Sequence, residues 1–131
     1  MKKFLFLVVA IFSIQIVSAQ DSPNVSNDIL YNSAKVDVQP QFSGGIEAFF
    51  KFIANHYKMP NVDKFSGKVY VTFVIEIDGS LTDIKVLSDI GYGTGKEAIR
   101  VLKLSPKWKP AEQNGQKVRC LHAIPISLQS E

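Results

Sequence analysis

The chain has 131 residues, 46% hydrophobic and 21% charged, with 8 Gly, 6 Pro and 1 Cys, which suits one globular domain and excludes a multidomain enzyme, bulk disorder and collagen-like repeats. A single cysteine excludes an internal disulfide, an all-cysteine zinc site, and a zinc site of paired cysteines and paired histidines built from Cys120, His56 and His122. The formal charge is +3, but Lys2 and Lys3 lie in a segment expected to be removed; the remaining 13 basic and 12 acidic residues form no dense basic stripe, so nucleic acid is not an expected partner.

The amino terminus reads as an address. Lys2-Lys3 precedes the apolar run Phe4 to Phe12, and Val17-Ser18-Ala19 places small side chains where a signal peptidase reads, so cleavage is expected before Gln20. Ser13 and Gln15 interrupt the run, which makes a spanning helix of about 20 apolar residues the weaker reading. The expected domains are 1–19 signal peptide, 20–41 flexible arm or linker, and 42–131 folded domain. The expected location is periplasmic, with an inner-membrane anchor facing the periplasm as the alternative if the segment is retained. Residues 20–41 are polar and aperiodic, with one short strand expected around Lys35 to Val38. Fully extended at about 3.3 Å per residue, they reach roughly 70 Å.

A first helix is expected after Ser43, which can cap it. Ile46, Phe49, Phe50, Ile53 and Tyr57 form one face suited to covering a sheet, and Met59-Pro60 ends it. Residues 68–77 then alternate, placing Val69, Val71, Phe73, Ile75 and Ile77 on one side. A two-residue turn at Asp78-Gly79 pairs residue 75 with 82, 73 with 84, 71 with 86 and 69 with 88. A second helix runs from about Gly95 to Ser105, with Thr94 and Glu97 as a capping box, Ala98, Val101, Leu102 and Ser105 facing inward, and Pro106 as its stop. Lys107-Trp108-Lys109-Pro110 is extended. The last strand, about Lys117 to Leu128, alternates again, and Pro125 argues for an edge position because it cannot donate a ladder hydrogen bond.

Chemical motifs fail in turn. The glycines at Gly91, Gly93 and Gly95 do not make a phosphate loop, since Ile90 and Glu97 stand where Gly and Ser or Thr are needed. A dinucleotide site would need a third glycine at Lys96 and a parallel unit. Cys120 and His122 share a strand face, but no third ligand or orienting carboxylate can be named, so a core cysteine and a satisfied or half-exposed histidine are expected. Asp78 and Asp83 bracket the turn and suggest turn chemistry before calcium. No catalytic constellation, metal or cofactor is expected; a small secreted enzyme using Cys120 or His122 is the alternative from another class.

The order helix, hairpin, helix, strand resembles the carboxy-terminal domain of TonB-type energy transducers. The residues carrying the resemblance are Pro40-Gln41-Phe42-Ser43-Gly44-Gly45, Met59-Pro60, Gly67 to Ile75 with Asp78-Gly79, Trp108-Lys109-Pro110-Ala111, Asn114 to Val118, and Ile124-Pro125-Ile126. It spans Phe42 to Leu128. The resemblance implies an α+β fold with two helices packed on one face of a three-stranded antiparallel sheet. It also implies that the free edge of the last strand receives a short extended segment of an outer-membrane transporter or other envelope protein. On this sequence the implied partner-binding residues are Val118, Arg119, Cys120, Leu121, His122, Ala123, Ile124 and Ile126. Five or six backbone hydrogen bonds at about 0.5 to 1.5 kcal/mol each would contribute about 3 to 9 kcal/mol before association entropy. Two features depart from the family: a spacer of only 22 residues after the expected cleavage site, and Met59-Pro60 where the family has Tyr-Pro. Membrane contact is expected only if the signal segment is retained. The implied role is an exported, non-enzymatic peptide-binding module in energy-coupled transport, with a short membrane-anchored transducer as alternative. Whether two copies exchange strands as a homodimer stays open.

Overall fold

The computed structural model describes residues 29–130. The expected signal segment 1–19 and residues 20–28 of the expected arm lie outside the described residues. The elements are β1 (Leu30–Asn32), a 3-10 turn (Ser33–Lys35), α1 (Ile46–His56), β2 (Ser66–Ile75), β3 (Leu81–Ser88), α2 (Thr94–Lys103), β4 (Ala111–Gln113) and β5 (Gln116–Gln129).

Strands β3, β2 and β5 form the expected antiparallel unit with β2 in the middle. The sheet is extended to five strands by two short additions: β1, which makes it mixed by lying parallel to β5 on the side away from β2, and β4, which pairs antiparallel with the start of β5. The alternation of β2 and β5 explains their pairing. Val69 faces Ile126, Val71 faces Ile124, Phe73 faces His122 and Ile75 faces Cys120, so the apolar residues of both strands share one side. On that side, Phe49 and Ile53 of α1 and Ala98, Val101 and Leu102 of α2 join the same buried cluster. Trp108 ties the cluster together, its ring centroid 5.3 Å from Phe49 and 5.5 Å from both Phe42 and Phe73. Each fully buried Phe, Ile, Val or Leu of this cluster contributes about 1.5 to 3 kcal/mol.

The hairpin loop is one residue longer than the Asp78-Gly79 spacing suggests. The Glu76 amide donates to the Ser80 carbonyl, 2.8 Å, and Ile75 pairs with Leu81 where residue 82 was expected. An extra β3 residue between Thr82 and Lys85, with Asp83 at φ 50, then shifts the register and restores Val71 opposite Val86; Phe73 and Ile84 form no ladder pair, and Ser88 pairs with Tyr70, not Val69. Gly79 has a second function. At φ 90 its missing Cβ leaves room for the Trp108 carbonyl, while the Trp108 amide donates to the Gly79 carbonyl, 2.8 Å. The turn thereby seats the tryptophan segment.

Both helix caps differ from expectation. Gly45, not Ser43, precedes α1, without a side-chain cap, and Gly93 in the left-handed region precedes α2. Thr94 Oγ1 donates to the Gly91 carbonyl, 2.7 Å, which holds the loop rather than the helix amides. Glu97 is spent on tertiary contacts: it accepts from the Lys58 amide, 2.7 Å, and from Arg100, whose Nη2 also donates to the His56 carbonyl. With the Tyr57 hydroxyl donating to the Thr94 carbonyl, 2.6 Å, these bonds join the end of α1 to the start of α2. Burial, together with the charges of Glu97 and Asp89, pushes the Tyr57 hydroxyl up to about 12.

The described part of the expected arm is folded onto the domain. The structure places a strand at Leu30–Asn32, a 3-10 turn at Ser33–Lys35, and only isolated bridges from Val38 to Glu112 and from Gln41 to Lys109. Tyr31 and Val36 pack against a second small core of Ala111, Val118 and Cys120, which gives this segment an apolar reason to return.

Candidate functional site

Strand β5 is the element on which the expected site residues fall, and its two halves have different surroundings. Val118 is buried and pairs with Ala111 of β4. Arg119, Cys120 and Leu121 pair with Leu30, Tyr31 and Asn32 of β1. From His122 to Gln129 the only ladder partner of the strand among the described residues is β2, although the Ser33 side chain reaches the His122 imidazole at the start of this stretch. His122, Ala123, Ile124 and Ile126 therefore lie on the open part, and Ser127, Leu128 and Gln129 extend it beyond the residues expected. The row of backbone groups on that margin is a template for an added strand.

Helix α1 borders this margin on the buried side of the sheet. A groove of about 490 Å³ separates Phe50, Ile53, Ala54, Tyr57 and Met59 from Ile126–Gln129. A second, of about 390 Å³, lies at His122 between the Gln39–Phe42 segment, Ile46 and Trp108. The apolar stripe of α1, expected to pack as core throughout, is split between these surroundings. Phe49 and Ile53 are buried, whereas Ile46 is 53% and Phe50 42% exposed, as is Met59, beyond the end of the helix, at 44%. The stripe is wider than the sheet beneath it requires, and the half-exposed flank lines the open margin. That width, in Ile46 and Phe50 four apart, is the signal that could have identified the flank from sequence.

The titratable residues of β5 are built for structure. Burial pushes the Cys120 thiol up to about 11, the reverse of what a nucleophile needs, and depresses the His122 imidazole below its ordinary value. His122 Nδ1 lies 2.9 Å from Ser33 Oγ, with the Phe73 and Trp108 rings 5.8 and 5.9 Å away. Among the described residues no carboxylate completes a catalytic pair with either. Arg119 donates to Glu76, 2.8 Å, and Thr82 Oγ1 makes a short hydrogen bond to the same carboxylate; the Arg119 bond holds the Glu76 carboxyl below its ordinary range. Asp78 accepts from the Ser80 amide and hydroxyl, the turn chemistry expected of it. No cluster of three or more metal-ligating side chains occurs among the described residues, and no helix among them is long and apolar enough to cross a membrane.

Residues 63–128 match the family described as Gram-negative bacterial TonB protein C-terminal. No curated protein and no solved structure matches the chain.

Proposed function

We propose, from the premise that this chain belongs to the Gram-negative bacterial TonB protein C-terminal family, that it recognises an extended segment of an outer-membrane transporter by adding it as a strand to β5. The family is non-enzymatic, faces the periplasm and serves energy-coupled transport through outer-membrane transporters. The finer reading for this chain is a small exported module, cleaved before Gln20, that pairs with its partner along His122 to Gln129. One observation carries it: among the described residues the margin of β5 beyond Leu121 has no ladder partner, the Ser33 side chain alone reaching it at His122. Backbone pairing supplies the affinity, and alternate side chains supply selectivity. Val118 to Leu121, already engaged by β4 and β1, are support for that edge and enter the interface only if β1 leaves.

Hydrogen exchange tests the reading. In the free chain, the amides between His122 and Gln129 that do not face β2 exchange quickly; with a transporter amino-terminal peptide bound they become protected. Protection confined to another surface overturns it. The run Phe4 to Phe12 favours a second reading, in which the segment stays as an inner-membrane anchor of a short transducer. Amino-terminal sequencing separates the two, because a mature chain starting at Gln20 has no anchor.

A further inference from the structure

We infer that the groove between α1 and the end of β5 is a side-chain subsite of this edge, that it selects partner segments with large apolar residues at alternate positions, and that Phe50 and Met59 set the selection. The inference rests on the edge-pairing reading above and adds to it which sequences the edge accepts.

Directly opposed residues on neighbouring strands point to the same face. Ile126 and Leu128 are buried on the helix side of the sheet, so residues of an added strand opposite them also turn toward α1. Their side chains would enter the groove, while those opposite Ser127 and Gln129 would face away. None of the residues lining the groove carries a charge. A charged side chain would be desolvated there without a counterion, whereas an apolar one would cover the exposed parts of Phe50 and Met59. Met59 is unbranched and polarizable, suited to a rim that adapts to side chains of different shape.

The occupant is an extended polypeptide because the groove is continuous with the unpaired backbone of β5, whose amide and carbonyl groups are matched by another strand and not by an acyl chain. Strand β1 also sets the register. Asn32 pairs with Leu121, so an added strand starts at His122. A slip of one residue would turn its apolar side chains to the opposite face.

The test uses the full chain and three synthetic eight-residue peptides with Thr at alternate positions and Leu, Ala or Asp between them, measured by titration calorimetry. The Leu peptide is expected to bind at least about tenfold more tightly than the Ala peptide, with the Asp peptide weakest. Phe50→Ser and Met59→Ser, both at exposed positions, each narrow the Leu-to-Ala ratio to less than about threefold. Leu87→Ser, on the exposed surface of β3, leaves it unchanged. Equal binding of the Leu and Ala peptides, or an unchanged ratio in both groove variants, overturns the subsite while leaving edge pairing in place. If no peptide binds, edge pairing falls and the subsite with it. Dimerisation abolished by Phe50→Ser, in a chain that binds no peptide, assigns the groove to a second copy and also overturns the proposal.

Discussion

The two halves of β5 bury their side chains in the same rhythm and differ only in what lies beside the backbone. Val118 and Cys120 in the first half, and Ile124, Ile126 and Leu128 in the second, are all buried on alternate positions. Yet β4 and β1 attend the first half, and among the described strands the second pairs with β2 alone. Alternation thus reports which face is buried and says nothing about whether a margin is occupied. That is decided by apolar groups elsewhere in the chain. Tyr31 and Val36 find a small core at Ala111, Val118 and Cys120, whereas α1 overhangs the second half and leaves a groove where another strand would lie.

The largest perturbation of this contrast is Ile126→Ala, which removes a buried side chain opposite Val69 and one wall of the groove. It should cost about 2 to 5 kcal/mol by denaturant titration, and a loss below about 1 would show that the second half is not anchored through its inward face. Next, Tyr31→Pro should release β1 at about 1 to 2 kcal/mol. Amide exchange should then quicken at Arg119 to Leu121 and not at His122 to Gln129; unchanged exchange at Arg119 to Leu121 would mean that β1 does not protect the first half.

At the junction of the halves, His122 is held neutral by burial, so its folded pKa lies below the ordinary value of 6.5. The unfolded chain binds the extra proton, and stability should therefore fall as pH drops from about 6.5 through the folded pKa, by at most about 1.4 kcal/mol per pH unit. His122→Gln should flatten that part of the pH profile; an unaltered slope would assign it to other groups. The smallest effect is expected from Glu76→Gln, which weakens the partly exposed pair with Arg119 by about 0.5 to 1 kcal/mol at neutral pH. Because the Glu76 carboxyl is held below its ordinary 4.5, the difference from wild type should persist at pH 4.5 and vanish once pH falls through the folded value.

Long periodic elements were legible in the chain, and short ones were not. The stripes of α1, α2, β2 and β5 identify each element and its inward side, because burial of many residues in register leaves a pattern. Strand β1 has only three residues, and nothing local distinguishes Leu30-Tyr31-Asn32 from the polar stretch around it. Strand β4 was visible in principle: Asn114 and Gly115 both have positive φ, and such a pair is the strongest short signal for a hairpin. Asp83 disguised the β2–β3 register, since a bulge has no sequence signature comparable to a turn dipeptide. Thr94 and Glu97 fit a capping box by spacing alone, but the loop carbonyl at Gly91 and the partners around the end of α1 competed successfully for their oxygens.

The resemblance to a family supplied the α+β arrangement and the strand on which a partner would be sought, whereas local patterning determined the two helices, the hairpin strands and the inward face of the last strand. Those local properties follow from side-chain periodicity and residue type, which are written along the chain. Tertiary structure alone decided that, among the described residues, the margin without a ladder partner begins after Leu121 rather than at Val118, and that Phe50 and Met59 border it. Both depend on where distant segments come to rest, and the free energy that places β1 against Arg119 to Leu121 arises from contacts about 90 residues apart in sequence, beyond the reach of any local window.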